Sequence, residues 1–406
     1  MSRNTLFRVF SVFCLFVLSF MFTALENRQS LAASDAKHIK IGAAIPIASF
    51  PPGIAWKRGY ELFVDKVNSE GGLLVGNERY LMDLYIEDSL FNPDGAAKAA
   101  RKLVYDNGVK YVFGAILDAS AVSIYNVTKQ AGVLYMANIN IPGVPGDVKK
   151  DQPLKLRFCI SNDVDQFPCY EYALQAYPGI KRVVISAPNI GYEDAVERLK
   201  KRVESELGLQ VVGTQLWPSS LYQLSDFMSV ETKNLSYKPD LVHSFDTGQA
   251  GNEIKSLRDL GFKGPIISDS LLAIDVILAV AGKEASTDII AAGLDVTQPP
   301  TDVVKEIMRR WEAKYSEPFH GDSPYAWDAI WTLAQVMQRA GSVDPKVVDE
   351  TAQKMNNPGD IQTAFGPAYI GGLKRFGANK ALVRPIPLVH VMNGKTKLIK
   401  MFTPDE

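Results

Sequence analysis

The chain contains few of the residues and motifs that enzymes use for chemistry. Its four histidines (His38, His243, His320 and His390) lie far apart, and no Cys-x-x-Cys or Gly-x-Ser-x-Gly motif occurs in its 406 residues. The glycines at 71, 72 and 76 lack the spacing of a dinucleotide-binding loop, and they follow a predicted helix rather than a strand. We therefore expect no catalytic residue, no resident metal and no cofactor.

No long run of one charge and no second long apolar run occurs in the sequence. Lys and Arg number 44 against 45 Asp and Glu, so the net charge is only -1, which argues against nucleic acid or an anionic membrane surface as a partner. The composition, 47% hydrophobic and 22% charged, is typical of a soluble globular protein. At roughly 100–200 residues per domain, the length predicts two domains.

Cysteine is also rare, with three residues in the whole chain. Cys14 lies in the apolar N-terminal segment, and only Cys159 and Cys169 belong to the predicted folded part. In an oxidising compartment these two could form a disulfide, and two buried thiols are the alternative. Separation in sequence does not decide between them, because disulfide geometry is strict.

The N-terminus has the three-part layout of a secretion signal. Two arginines, Arg3 and Arg8, precede an apolar run over residues 9–25, and small residues end the segment at Ala32 and Ala33. We predict a signal peptide over residues 1–33, which would place the mature chain in the periplasm or the medium. An uncleaved anchor is the alternative, because the run approaches the ~18 residues that can span a bilayer.

Apolar runs alternate with amphipathic segments along most of the chain. A buried strand is predicted at residues 39–47, and a helix follows and ends at Gly71-Gly72. Asn92-Pro93-Asp94 begins another helix, and a second series of strands and helices runs from about residue 156 to 268. This alternation predicts parallel sheets, so the fold class is α/β, with two doubly wound lobes joined by a multi-strand hinge.

The last third of the chain predicts a return to each lobe in turn. Asn393-Gly394 between two strand-like runs indicates a β-hairpin. We place the crossings between lobes near Ser161, Ala292 and Phe365. Lobe 1 then comprises residues 34–161 and 293–365, and lobe 2 comprises residues 162–292 and 366–406.

Polar side chains follow several predicted strands, where ligands bind in open α/β sheets. Helix caps and core packing are the alternative for each residue, because helix starts favour Asp, Asn and Ser. For the Asp163–Asp165 pair, a metal site is a weaker alternative than a helix cap. The candidate ligand-binding residues at or near these turns are Asp118, Ser120, Asn140, Asp163, Asp246 and Ser270, with the aromatic residues Tyr192 and Tyr325.

Four segments resemble the periplasmic ligand-binding proteins of ABC importers for branched-chain amino acids. They are IKIGAAIP, KRGYELFVDKVNSEGG, YIEDSLFNPDGAAKAARKLVYDNGVKYVFGA and PYAWDAIWTLAQVMQRAGS. The resemblance implies the type I fold, whose two hinged lobes close on a small solute and deliver it to a permease at the inner membrane. A ligand-sensing domain coupled to a signalling or chemotaxis receptor is the alternative, since such domains share this fold.

The resemblance also implies roles for individual residues. In amino-acid-binding members, a Ser and a Thr hold the ligand carboxylate; Asp118 and Ile141 stand at those positions here. Asp163 matches an acid that holds the ammonium, and Tyr192 and Tyr325 match aromatic residues around the ligand. A tyrosine of the family is replaced by Asp246, and the second-lobe acid falls near Ser270.

An ionised Asp118 would repel a ligand carboxylate by several kcal/mol at ~4 Å. We therefore expect a solute with a cationic or donor-rich group and some apolar surface. The candidates are an amino acid, an amide, an amine or an aromatic compound.

Overall fold

The computed structural model describes residues 37–48, 50–116, 118–139, 154–189, 191–218, 220–221, 225–245, 248–268 and 274–405. The predicted leader, including Cys14, lies outside these residues, and so do the candidate site residues Asn140, Asp246 and Ser270. Among the helices described, none combines the length and apolar composition needed to cross a membrane.

The described strands belong to two sheets. They are β1 (Lys37–Ile45), β2 (Leu73–Val75), β3 (Glu78–Asp88), β4 (Tyr111–Gly114), β5 (Leu134–Ala137), β6 (Lys155–Arg157), β7 (Arg182–Pro188), β8 (Gln210–Trp217), β9 (Leu241–Ser244), β10 (Ile266–Ser268), β11 (Ile289–Ala292), β12 (Ile361–Thr363), β13 (Gly366–Gly371), β14 (Ala381–Val383), β15 (Ile386–Met392) and β16 (Lys395–Phe402).

The described helices connect these strands. They are α1 (Pro51–Ser69), α2 (Pro93–Arg101), α3 (Asp118–Ala131), α4 (Asn162–Asp165), α5 (Phe167–Ala176), α6 (Glu193–Leu207), α7 (Met228–Ser236), α8 (Ala250–Asp259), α9 (Ile274–Ala281), α10 (Asp302–Lys314), α11 (Ser323–Ala340), α12 (Pro345–Ala352) and α13 (Leu373–Phe376). A π-helical turn, Lys102–Asp106, extends α2.

Both sheets are mainly parallel, as the alternation of strands and helices predicts. The first has the order β12-β13-β14-β6-β5-β4-β1-β3-β2, and the second has the order β16-β15-β11-β10-β9-β7-β8. In the first, β3, β1, β4, β5 and β6 run parallel, and in the second, β8, β7, β9, β10 and β11 do. We call the parts built on these sheets the first and second lobes, and their two-lobe α/β architecture confirms the predicted fold class.

Each sheet is covered by helices on both faces, which explains the nearly continuous apolar strands. In the first lobe, Ile41 packs with α1, α10 and α11 on one face, while Val112 packs with α2 and α3 on the other. In the second lobe, Ile185 packs with α5 and α6, and Val242 packs with α8 and α9.

Local signals in the sequence determine where several helices begin and end. Asn92 caps α2, because its side-chain oxygen accepts a hydrogen bond from the backbone N–H of Gly95 at 2.8 Å. Helix α6 stops at Gly208, whose φ of 66° is a left-handed conformation that glycine adopts without strain. The hairpin between β15 and β16 turns at Asn393 and Gly394, with φ values of 52° and 69°. The predictions at these positions are confirmed.

The third crossing between lobes differs from the predicted one. We expected residues after Phe365 to belong to the second lobe, but β13 and β14 pair within the first sheet, where Ala381 of β14 lies beside Arg157 of β6. The chain therefore crosses at Arg384 and Pro385, immediately before β15. Short strands next to glycine-rich turns look alike in either lobe, and only this long-range pairing assigns them to one sheet.

Backbone hydrogen bonds and one buried side chain tie the crossings together. Arg384 is 4% exposed, and its Nη1 donates to the carbonyl of Phe158 at 3.1 Å, which joins the third crossing to the first. The N–H of Gly293 donates to the carbonyl of Pro387 at 2.9 Å, which joins the second crossing to the third. The lobes are thus connected by a linked set of short segments rather than by independent tethers.

The two remaining cysteines form no disulfide with each other. Cys159 and Cys169 are both buried, and Cys159 Sγ donates to the carbonyl of Ile139. The question that the sequence left open is therefore answered in favour of two buried thiols.

Candidate ligand-binding site

The carboxyl ends of the parallel strands are followed by three of the predicted ligand-binding residues that the structure describes, Asp118, Ser120 and Tyr192. In the first lobe, Asp118 and Ser120 lie in the first turn of α3, which begins just beyond β4. In the second, Tyr192 lies between β7 and α6. These ends are where open α/β sheets bind ligands, because the helix starts present backbone N–H groups there.

Ser120 is completely buried at the start of α3. Its Oγ forms no hydrogen bond within the part of the chain that the structure describes. A buried hydroxyl without a partner costs free energy, so a water molecule or a ligand that supplies the missing hydrogen bond would stabilise it. This position therefore supports the prediction that the first turn of α3 contributes to the site, although the side chain of Asp118 is outside the description.

Two aromatic residues meet at the carboxyl ends of neighbouring strands in the second lobe. Tyr192 is 6% exposed, and its ring meets the ring of Phe245 edge-on, with centroids 5.7 Å apart. Phe245 comes directly after β9, which is the neighbour of β7 in the sheet. Sequence reasoning missed Phe245, because an aromatic residue at the end of an apolar strand looks like ordinary core.

Tyr325 lies in the first turn of α11, beside Arg384 of the third crossing between the lobes. Its ring stacks on Phe365 with centroids 4.5 Å apart, and the guanidinium of Arg384 lies 4.7 Å from the ring centroid. The same guanidinium lies 4.3 Å from the ring of Phe158. Since Tyr325 is only 2% exposed, it packs the hinge in this structure, and its contact with a ligand stays a prediction.

Burial sets the ionisation of the polar groups around Tyr325. Desolvation raises the pKa of its hydroxyl well above the ordinary value, and Arg384 opposes that rise. Desolvation also raises the pKa of Asp328 to about 7, although Arg384 and the N–H of Ala364 favour the ionised form. Asp328 Oδ1 accepts that N–H at 2.6 Å, so its carboxyl group holds the backbone of Ala364.

Asp163, the acid predicted to hold a ligand ammonium, is engaged by a cation of the chain itself. It lies in α4 and is 4% exposed, and Arg375 donates to both of its oxygens, from Nη1 at 3.0 Å and from Nη2 at 2.8 Å. The hydroxyl of Ser161 donates to Oδ1 as well. Arg375 had no signal in the sequence that linked it to Asp163, since 212 positions separate the two residues.

The structure offers no metal centre among the residues that it describes. No group of three or more His, Cys, Asp or Glu side chains comes close enough there to hold a metal ion. Desolvation lowers the pKa of His243 to about 3 and that of His320 to about 4, so both rings are neutral at physiological pH.

A cavity of about 730 Å³ lies elsewhere, on the outer face of the first lobe. It opens between α1, α10, α11 and β2, and its walls include Phe63, Trp327 and Trp331. This position is away from the carboxyl ends of the strands, so the cavity is separate from the predicted site.

Comparisons with a family model and with curated proteins both match the chain to periplasmic binding proteins. Residues 38–396 match the family model described as periplasmic binding protein. The Leu/Ile/Val-binding protein BraC3 of Rhizobium johnstonii is 26% identical over 350 residues, which cover 84% of this chain and 90% of that protein. The Leu/Ile/Val-binding protein homolog 1 of Brucella suis is 23% identical over 333 residues, 81% of this chain and 85% of that protein.

Solved structures share the fold at low identity. The branched-chain amino acid transporter substrate-binding protein LivJ from Streptococcus pneumoniae, in complex with isoleucine, superposes with a TM-score of 0.73 at 18% identity and covers 91% of this chain and 100% of that one. An ABC transporter solute-binding protein from R. palustris, in complex with benzoate, has a TM-score of 0.70 at 20% identity over 90% and 97% of the two chains.

Proposed function

Because the chain belongs to the periplasmic binding protein family, we propose that it captures a small solute between its two lobes and delivers it to an ABC permease at the inner membrane. Residues 1–33 direct export, and the mature protein works in the periplasm. Its work is binding and closure, without covalent chemistry. The relatives named for Leu, Ile and Val, and the structural neighbours that hold isoleucine and benzoate, support a small organic solute.

The observation that supports this proposal most directly is that two mainly parallel sheets are connected by chain crossings that are hydrogen-bonded to each other. Tyr192 and Phe245 stand at the carboxyl ends of one sheet, and the first turn of α3 stands at those of the other. A ligand that contacts both lobes favours the closed arrangement, because it stabilises that state by its differential affinity. Closure is then what a permease recognises.

The first test is a ligand screen on the purified mature chain, residues 34–406. Thermal unfolding and small-angle X-ray scattering are measured with a panel of amino acids, amides, amines and aromatic acids. A ligand at 100 times its Kd adds about 2.7 kcal/mol of stability, which gives a clear rise in Tm. We expect at least one compound to raise Tm and to reduce the radius of gyration. A compound that is turned over, or a panel without any effect, contradicts the proposal.

The site assignment is tested with Tyr192→Ala. Truncation of a buried aromatic anchor costs about 2 kcal/mol or more of binding free energy, so we expect a loss of affinity greater than about tenfold. Tyr105→Ala is the matched control, because Tyr105 is 61% exposed on the π-helical turn of the first lobe. Equal affinities of the two variants would remove Tyr192 from the site.

A further inference from the structure

The ion pair between Asp163 and Arg375 has the geometry of a permanent structural contact. The guanidinium binds the carboxylate through two parallel hydrogen bonds of 3.0 and 2.8 Å, and its Nη1 also lies 3.0 Å from the hydroxyl of Ser161. The side chains are 5% and 17% exposed. Bidentate, charge-assisted pairs of this kind are the strong ones in proteins.

Arg375 is held in place by its own short helix. Helix α13 is a single turn between Gly372 and Gly377, which have φ values of 96° and 70°. Its last residue, Phe376, is 3% exposed and packs with Ile160 and Val164 beside the first crossing. A Cβ on Gly372 would come within 2.6 Å of the Phe376 ring, so the glycine permits this close packing. The position of the guanidinium is therefore set by a buried anchor.

The pair joins the two lobes. Arg375 lies between β13 and β14 of the first sheet, whereas Asp163 belongs to α4, which follows the first crossing and packs against α6 of the second lobe. An ammonium group at Asp163 would have to displace Arg375 from both oxygens. That exchange would leave a largely buried guanidinium without its partner, and such a loss is unfavourable.

The carboxylate has almost no remaining capacity for a second cation. Its two oxygens accept three hydrogen bonds, two from Arg375 and one from Ser161, out of about four acceptor positions. The pair is also neutral as a unit, so it offers an ammonium little net attraction. The cation that the sequence led us to expect from the solute is supplied here by Arg375.

We propose that Arg375 makes this protein select against ammonium groups, and that its solute is an apolar or aromatic compound without an amine. The inference rests on the proposed function and deepens it by naming the class of solute. Arg375 is thus a specificity-determining residue that acts by occupying the acid. It achieves discrimination by leaving an amine-bearing competitor with an unpaired charge.

The test uses pairs of compounds that differ only in the α-ammonium group. L-Leucine is paired with 4-methylpentanoate, and L-phenylalaninamide, which has no carboxylate, is paired with 3-phenylpropanamide. Binding to the mature chain is measured by calorimetry, and closure by small-angle scattering. We expect at least one amine-free member to bind more than about tenfold tighter than its amine-bearing partner, a difference of about 1.4 kcal/mol or more.

Substitutions then show whether Arg375 causes the preference. In Arg375→Met, Asp163 is released, and we expect the preference to shrink by about tenfold or to reverse. Lys374→Met is the matched control, since it removes an exposed positive charge from the same turn and leaves the pair intact. In the double variant Asp163→Asn with Arg375→Met, the gain for amine-bearing compounds should disappear. Arg375→Gln removes the charge but keeps a polar side chain, and serves where Arg375→Met does not fold.

The outcomes separate the two proposals. If the wild type closes on the amine-bearing members and prefers them, the inference is overturned while the proposed function stands. If the amine-free members are preferred but Arg375→Met and Arg375→Gln keep the full preference, Arg375 is not its cause and the inference fails. If no compound binds or closes the protein, the proposed function fails and the inference with it.

Discussion

Two buried clusters of ionisable side chains, one in each lobe, are arranged in different ways. In the first lobe, Lys380 is 1% exposed and forms an ion pair with Asp349, at 2.9 and 3.0 Å from its two oxygens. In the second lobe, two acids come together: Glu231 of α7 and Glu253 of α8 are both completely buried, and a hydrogen bond with Glu253 contributes to the pKa of Glu231. The first arrangement brings opposite charges together, whereas the second brings two acidic groups together.

The difference between these two clusters, one with a cation beside the acid and one with a second acid, is explained by desolvation. Burial disfavours a charged carboxylate, and a partner of opposite charge compensates for it only where the geometry provides one. At Glu231, burial raises the pKa to about 7, while hydrogen bonds with Asn234 and Glu253 oppose the rise. The second lobe should therefore respond to pH near neutrality at this pair, and the ion pair of the first lobe should depend on the presence of both partners.

The substitution with the largest expected effect on stability breaks the ion pair between Lys380 and Asp349 in the first lobe. Lys380→Met leaves Asp349 buried without its cation, and we expect a loss of about 3–5 kcal/mol in the free energy of unfolding. Urea denaturation measures it. Replacing both partners, in Lys380→Met with Asp349→Leu, should recover most of the loss. Lys354→Met, an exposed position nearby, is the control. A loss in Lys380→Met no greater than that of the control would contradict the comparison.

The next effect concerns pH and the second lobe. The pKa of Glu231 is raised in the folded state, so its contribution is fully present below about pH 4.5 and is lost as pH rises through about 7. Glutamine does not ionise, so the variant Glu231→Gln does not lose this stability as the pH rises. We expect the variant to exceed the wild type by on the order of 3 kcal/mol above pH 7, and the difference to vanish near pH 4.5.

The measurement for Glu231→Gln is denaturant unfolding over this pH range. Glu197→Gln on the exposed face of α6 is the control, because its side chain is 53% exposed and pairs only with Lys201 at the surface among the described residues. A difference between Glu231→Gln and wild type that is the same at every pH would show that no shared proton exists.

The smallest expected effect comes from Tyr170→Phe, which tests a buried hydrogen bond whose strength should not depend on pH, in contrast to the Glu231 contact. Tyr170 and His243 are buried in the second lobe, and the hydroxyl and Nδ1 form a hydrogen bond of 2.8 Å. Burial lowers the pKa of His243 to about 3, so the ring is neutral well below pH 7. Tyr170→Phe should cost about 1–3 kcal/mol, equally at pH 7 and pH 9. A loss that changes between these pH values would place a titrating group in this contact.

Much of the fold could be predicted, because its signals are local. The cap at Asn92, the glycine stop at 208 and the Asn393-Gly394 turn each depend on a few neighbouring residues, and each is found as expected. The alternation of apolar and amphipathic segments likewise predicts parallel sheets covered on both faces. These features follow from backbone conformations that the residues themselves prefer.

The candidate site could be predicted only in part. Ser120 and Asp163 lie at helix starts and Tyr192 lies after a strand, where the sequence predicts them, because helix starts and strand ends have local signals; their contact with a solute stays a prediction. Their partners could not be predicted. Phe245 meets Tyr192 through the neighbouring strand, and Arg375 meets Asp163 across 212 positions. Nothing in the sequence around either residue marks such a contact.

The sequence by itself determined the class of fold, the alternation within each lobe and the turns that separate the elements. The tertiary structure alone decided that β13 and β14 belong to the first sheet, that Cys159 and Cys169 remain thiols, and that Asp163 is neutralised by Arg375. The physical reason is the separation along the chain over which each kind of interaction acts. Dihedral preferences and hydrophobic periodicity act over a few residues, whereas strand pairing and the desolvation of charges depend on groups that only the completed fold brings together.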